Sequence, residues 1–306
     1  MPDLHPGYRW TDWTPFLPEP TRGIDNQRTH GLAVTRDGNL VVFRQADPAI
    51  VILSPTGELV DAWGDRFLGA HGLTLAQDGD REVLWLTDQN TAEVVKTTLS
   101  GETLLQLERP DLPIYAETPY IPTWVAVVEE RWGGNGDIWV TDGYSTHLIH
   151  RYDADGRYIT SIDGAEVGTF QCSHGLWIDT RRGEPELYIA DRGNQRLVVF
   201  TADGTFKRIA GMGDLDSPCG GTPVGDRLYV PELGARISML DADDQLVQIL
   251  GRNDSILDHP DWPNVPDDHI RPSRFNSPHD LAVGPDGSIY VGEWLVGGRL
   301  TRLVPE

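Results

Sequence analysis

The chain has 306 residues, with 25 Lys and Arg against 47 Asp and Glu, and a formal net charge of −22. Such a surface repels phosphate backbones and anionic membranes, which argues against nucleic-acid and membrane partners. The 33 Gly and 22 Pro punctuate short elements and disfavour a helical bundle, while 39% hydrophobic residues suffice for a core and argue against disorder.

In chain order, Met1 to Pro20 carries Trp, Asp, Pro and Glu where a secretory leader has an apolar stretch, and no run approaches the ~18 apolar residues of a membrane span. Cys172 and Cys219 are too few for a disulfide framework or a cysteine zinc site, so the expected compartment is cytoplasmic. Tyr8 to Phe16 is a candidate outer strand. From His30 onward a repeat is visible: HGLAVTRDGNLVVF at His30, HGLTLAQDG at His71, PTWVAVVEE at Pro122, SHGLWIDTRRG at Ser173, GGTPVGDRLYV at Gly220 and SPHDLAVGPDG at Ser277. Each unit is an alternating apolar run, a Gly/Asp turn and a second apolar run, the signature of half-buried strands joined by hairpins. The starts step by 41 to 57 residues, which fits the blades of a β-propeller. Six units fill the chain. The predicted fold is therefore all-β, one six-bladed β-propeller domain over residues 1–306, with GRLTRLVPE closing the last unit. Two stretches exceed what turns need, Leu107 to Ile121 and Arg252 to Phe275. The second, rich in Pro, Asp and His, is expected to lie as an ordered flap across one face, and long ordered loops tend to be functional.

The histidines carry the functional signal. His71, His174 and His279 stand 103 and 105 residues apart, at one repeat position in blades 2, 4 and 6. Alternate blades of a six-membered ring lie about 120° apart by symmetry, so the three imidazoles should converge on the axis. Three neutral His around an open fourth position is the ligand set of a catalytic zinc. His30 shares the His-Gly-Leu context in blade 1, where threefold geometry does not require it, so a histidine merely inherited with the turn is the competing reading. Asp88, Asp142, Asp191, Glu232 and Glu293 recur at a single position and are expected to satisfy turn amides. Trp85, Trp139, Trp177 and Trp294 are expected in strands, packing between blades.

The blade pattern resembles the NHL repeat. Within it, HGL at His71, DGY at Asp142, SHGL at Ser173, ADR at Ala190 and PHD at Pro278 resemble, in order and in blade, the motifs of the peptidyl-α-hydroxyglycine α-amidating lyases. The resemblance implies zinc on His71, His174 and His279, Tyr144 as the catalytic tyrosine and Arg192 as the active-site arginine. It also implies a calcium ion on Asp280 and the backbone carbonyls of Leu32 and Leu73. Those residue types suit cleavage of a carbinolamide: an acidified hydroxyl, a phenolate base at Tyr144, and a guanidinium for a substrate carboxylate. Tyr144 could instead plug the channel mouth, and Arg192 could pair with Asp191.

Three departures stand out. The family's first-blade arginine follows Phe-His, whereas Arg44 follows Phe43 directly, one position early; either the strand end adjusts or substrate is held differently. Ser145 stands where the secreted animal enzymes have cysteine. The 252–275 flap has no counterpart. The expected function is a zinc-dependent lyase cleaving the C–N bond of a small hydroxylated amide, as a monomer with a small-molecule substrate. A lactonase-like hydrolase using zinc-bound water and a non-catalytic interaction propeller are the alternatives.

Overall fold

The computed structural model describes residues 7–12 and 27–306. Twenty-four strands form six four-stranded antiparallel sheets, arranged as the blades of a six-bladed β-propeller. The innermost strands are Thr29–Val34, Ala70–Asp78, Trp124–Val127, Ser173–Asp179, Thr222–Val224 and Pro278–Val283. Each starts within two residues of its expected repeat start. The ring closes through blade 6, where the N-terminal strand Tyr8–Asp12 pairs antiparallel with Arg299–Pro305, Tyr8 opposite Pro305 and Asp12 opposite Thr301. The expected closing segment ran to Phe16; residues 13–16 lie outside the described residues.

The core is divided among the blade interfaces, because each sheet is apolar on both faces. Phe43 and Leu84 pack between blades 1 and 2, Trp85 and Val125 between 2 and 3, and Trp139 and Leu187 between 3 and 4. Trp177, Tyr188 and Leu228 fill the 4/5 interface, Tyr229 and Leu281 the 5/6 interface, and Leu32 and Tyr290 the 6/1 interface. Trp294 departs from its expected place: it follows the strand Ile289–Glu293, half-buried, beneath the Arg28 guanidinium. The outermost strands bury little; Leu59–Trp63 has three exposed residues in succession, where Leu40–Arg44 of the same blade is wholly buried.

The recurring carboxylates tie each blade to its own entry loop. Asp88 accepts a hydrogen bond from the Gly69 N–H (2.8 Å), Asp142 from Ile121 (2.8 Å), Asp191 from Gln171 (2.8 Å), Glu232 from Ser217 (3.1 Å) and Glu293 from Ser277 (3.2 Å). Residues 252–275 contain a short helix, Asp254–Leu257, and a small apolar cluster of Ile256 and Val265 on Ala235. They are pinned by the Asn253 N–H on the Ala235 carbonyl (3.1 Å) and by the Trp262 indole N–H on the Asn276 carbonyl (3.0 Å). Among the described residues no helix is long and apolar enough to cross a membrane.

Candidate metal centre and active site

His71, His174 and His279 are each the second residue of an innermost strand, and each sits at a break in register, between Ala70 and Leu73, Ser173 and Leu176, and Pro278 and Asp280. A bulge re-aims its side chain, here toward the axis. The glycine after His71 and His174 has a matching purpose. A Cβ on Gly72 would collide with the Thr123 carbonyl, and one on Gly175 with the Cys219 carbonyl, so only glycine lets the next blade approach this closely.

That approach fixes the imidazoles. His71 Nδ1 lies 2.7 Å from the Thr123 carbonyl, His174 Nδ1 2.7 Å from that of Cys219, and His279 Nδ1 3.0 Å from that of His30. A carbonyl only accepts, so each Nδ1 is the donor. Burial holds all three rings neutral, His71 at about 3 and the other two well below the usual range, which leaves Nε2 as a bare lone pair in every case. The even blades supply the imidazoles; residues 30, 123 and 219 of the odd blades, at the same register, supply the carbonyls. The ring centroids stand 4.8, 5.1 and 4.9 Å apart with interplanar angles of 68°, 80° and 76°, a near-threefold propeller of imidazoles.

The lone pairs are not satisfied within the protein. The Tyr144 hydroxyl lies 2.9 Å from His71 Nε2 and 3.0 Å from His174 Nε2, but it has one proton to give. His279 Nε2 is buried with no hydrogen-bond partner among the described residues. Three converging lone pairs share one proton, an arrangement that suits a cation. His30 joins the group, its ring 4.9 Å from His71 and 4.6 Å from His279. His30, His71 and His279 offer ligand atoms within 4.8 Å of one another and could hold a metal ion. That group has His30 where the repeat spacing predicts His174, which adjoins it through the Tyr144 hydroxyl.

Around the cluster, the Arg192 guanidinium lies 5.5 Å over the Tyr144 ring and makes no ion pair with Asp191 or any other described carboxylate. Burial works against its charge, yet Tyr144 and the Cys219 and Cys172 thiols beside it raise its pKa. Burial also lifts Tyr144 to about 12 despite Arg192, so the phenol keeps its proton unless a further cation adjoins it. Asp280 is buried one residue past His279, accepting from the N–H groups of Leu32 (2.7 Å) and Leu281 (2.8 Å), and burial pushes its pKa well above the carboxylate range. It lines, with Leu32 and Leu73, a channel cavity of about 470 Å³. Arg44 is buried at the top of blade 1 opposite Thr29, the register that carries a carboxylate in blades 2, 4 and 6. Its Nε donates to the Pro48 carbonyl (3.0 Å), which ties it to its own loop.

Sequence reasoning missed Trp124. Its indole is 6.1, 6.1 and 6.2 Å from the rings of His71, His174 and His279 and lines the same channel cavity. The signal was available: at the register where blades 1, 2, 4 and 5 have Gly31, Gly72, Gly175 and Gly220, blade 3 has a tryptophan. The glycines leave the axis empty, and one indole floors the histidine site.

No family model matches the chain. Curated relatives do. Peptidyl-alpha-hydroxyglycine alpha-amidating lyase 1 of Drosophila melanogaster is 30% identical over 81% of this chain and 47% of its own length. Peptidyl-glycine alpha-amidating monooxygenase B of Xenopus laevis is 28% identical over 92% of this chain and 34% of its own length. A probable amidating lyase of Caenorhabditis elegans is 24% identical over 86% and 79%. The chain spans about a third to a half of the length of the first two. Among solved structures, a streptogramin B lyase superposes with a TM-score of 0.66 at 14% identity over 99% of this chain and all of the other. A gluconolactonase of Xanthomonas campestris gives 0.63 at 15% over 92% and 87%. At those identities the structural likeness concerns the fold alone. The chain is a six-bladed β-propeller that resembles, along most of its length, proteins named as peptidyl-α-hydroxyglycine α-amidating lyases.

Proposed function

We propose that the chain is a metal-dependent carbon–nitrogen lyase that splits a small α-hydroxylated amide into a primary amide and a glyoxylate-like aldehyde. The observation that carries this reading is a ring of three imidazoles, each fixed by an Nδ1–carbonyl bond, of which His71 and His174 turn Nε2 to the Tyr144 hydroxyl and His279 keeps a buried, unpartnered Nε2. In the proposal His71, His174 and His279 hold zinc, with His30 beside them, and Asp280 with the carbonyls of Leu32 and Leu73 holds calcium. Zinc there supplies a Lewis acid that acidifies a hydroxyl, and a positive charge that opposes the burial keeping Tyr144 protonated. Tyr144 as phenolate takes the proton of the substrate hydroxyl; the O–H electron pair becomes the second bond of C=O, the C–N bond breaks, and the departing amide nitrogen receives the proton back. Arg192, bonded to Tyr144 but without an ion-pair carboxylate among the described residues, holds the substrate carboxylate through paired hydrogen bonds. Trp124 closes the floor against water from the channel.

Metal analysis of the purified protein, followed by turnover of N-acyl-α-hydroxyglycines, tests the reading. About one zinc per chain, with activity lost on chelation and restored by zinc, is the expected result. A protein that takes up no metal and leaves every such substrate intact overturns it.

A further inference from the structure

Beside the metal centre, where blade 6 meets blade 1, two further buried side-chain polar atoms have no partner among the described residues, Arg28 Nε and Thr29 Oγ1. Buried polar groups are otherwise almost always satisfied, so such a group of exceptions marks a place where a ligand belongs. Arg28 is the charged member. Its guanidinium lies 4.4 Å over the Trp294 ring, and its NH2 donates to Asn264 Oδ1 at 3.0 Å. Asn264 belongs to the 252–275 flap and is itself held by the Val296 N–H (3.0 Å). Arg28 makes no ion pair with a described carboxylate, in a chain with 47 acidic residues to choose from. Burial without a counter-charge lowers its pKa.

The stacked pair stands beside the histidine cluster. Arg28 is two residues before His30 and close enough for its charge to act on that ring. Trp294 donates its N–H to the Ser277 carbonyl (2.8 Å), and Ser277 is two residues before His279. Arg28 therefore stands by His30, whereas Arg192 stands by Tyr144 and its charge reaches His71, His174 and His279. Two guanidiniums without an ion-pair carboxylate among the described residues thus adjoin one histidine cluster. A substrate whose reacting carbon lies over the cluster extends its two arms toward them.

Resting on the lyase reading for the identity of the substrate, we infer that Arg28, with Trp294 and Asn264, forms a second anion subsite that reads an acidic group on the acyl arm, so that the preferred substrate is a hydroxylated amide with a carboxylate at each end. The flap then has a part in specificity, because Asn264 orients the guanidinium. A carboxylate arriving at Arg28 finds a rigid donor edge backed by an indole, the setting in which guanidinium recognition of carboxylates is strongest.

Calorimetric binding of two unreactive, near-isosteric probes separates this from the chemistry: N-butyrylglycine, with one carboxylate, and N-succinylglycine, with two. The zinc-loaded protein should bind the succinyl probe at least about tenfold more tightly, a difference of ~1.4 kcal/mol. Arg28→Gln should bring the two affinities to within about twofold while leaving N-butyrylglycine unchanged, and Arg28→Lys should keep part of the preference. Equal binding of both probes by the native protein overturns the inference. So does an equal loss for both probes in Arg28→Gln, since Arg28 would then read the shared glycine carboxylate or only brace the flap. Thermal melting of the variants identifies any that fail to fold, and the Lys variant keeps the test open in that case. If the succinyl preference holds but N-succinyl-α-hydroxyglycine is not cleaved, the lyase reading fails and the anion subsite stands.

Discussion

Tyr144 and the four histidines divide the work in a way that single substitutions can separate. Tyr144→Phe removes the hydroxyl that faces His71 and His174 but none of the Nε2 lone pairs. It should keep zinc by metal analysis and lose about 10²–10⁴-fold in kcat on an α-hydroxyglycine substrate. Unchanged turnover would remove Tyr144 from the chemistry. His174→Ala and His30→Ala discriminate the proposed threefold ligand set from the His30, His71 and His279 group: under the proposal the first should abolish stoichiometric zinc and the second only weaken it, although the ligand atoms within 4.8 Å of one another belong to His30, His71 and His279. The reverse outcome would exchange their roles. At this scale the sequence was readable wherever a residue recurred. His71, His174 and His279 stood out because their spacing repeats. Trp124 and Arg28 did not, since each is a single departure from the repeat whose meaning depends on neighbours from other blades.

At the scale of the strand, the His-Gly pair is the working unit. Gly175→Ala sets a methyl against the Cys219 carbonyl, the same group that fixes His174. Overpacking of this kind costs about 1–3 kcal/mol, and chemical denaturation should show that loss together with weakened zinc binding. A variant with native stability and native zinc affinity would show that the close approach is dispensable. A second strand-level device lies in blade 4, where Arg208 of the outer strand Phe206–Ala210 holds Glu186 through two bonds (2.9 and 2.6 Å) and reaches Asp244 of blade 5 (3.0 Å). Burial alone would raise Glu186, but the hydrogen bonds from Arg208 and Lys207 hold it at about 2. A carboxylate depressed in the folded state contributes stability above its unfolded value of ~4.5 that disappears as pH falls toward 2. Melting temperature should drop across that window, and Glu186→Gln should flatten the drop. Innermost strands were legible because apolar residues alternate there, as in Leu73 and Leu75. Outer strands such as Tyr158–Ile162 were not, because three of five residues face solvent and carry no burial pattern.

For the whole ring, stability depends on a closure made by hydrogen bonds and packing rather than by a covalent bond. Trp10 of the closing strand packs at a tilt against Phe275 (centroids 4.9 Å apart, interplanar angle 50°), with the Arg299 guanidinium 5.4 Å from its ring. Trp10→Ala should cost on the order of 2 kcal/mol, less than the ~3–5 of a wholly buried aromatic, and should lower the denaturation midpoint without altering zinc content. An unchanged midpoint would show that the closing strand contributes little. The number of blades was countable from the repeat; the way the ends meet was only partly so, because five residues of strand leave a faint pattern.

The histidine-to-carbonyl bonds have a mechanical consequence. They cross the 2/3, 4/5 and 6/1 junctions and leave 1/2, 3/4 and 5/6 without one. The six blades are therefore three doublets, each clamped near the axis by its own imidazole, and the closing pair of strands, Tyr8–Asp12 with Arg299–Pro305, falls inside the third doublet. A metal on the three Nε2 atoms would join the doublets at the hub, as a clasp joins links that are already closed. Stripping it should relax the ring between doublets first, so hydrogen exchange should accelerate at the 1/2, 3/4 and 5/6 junctions before the clamped ones. The proposed catalytic site would then also be the pin on which the wheel is assembled.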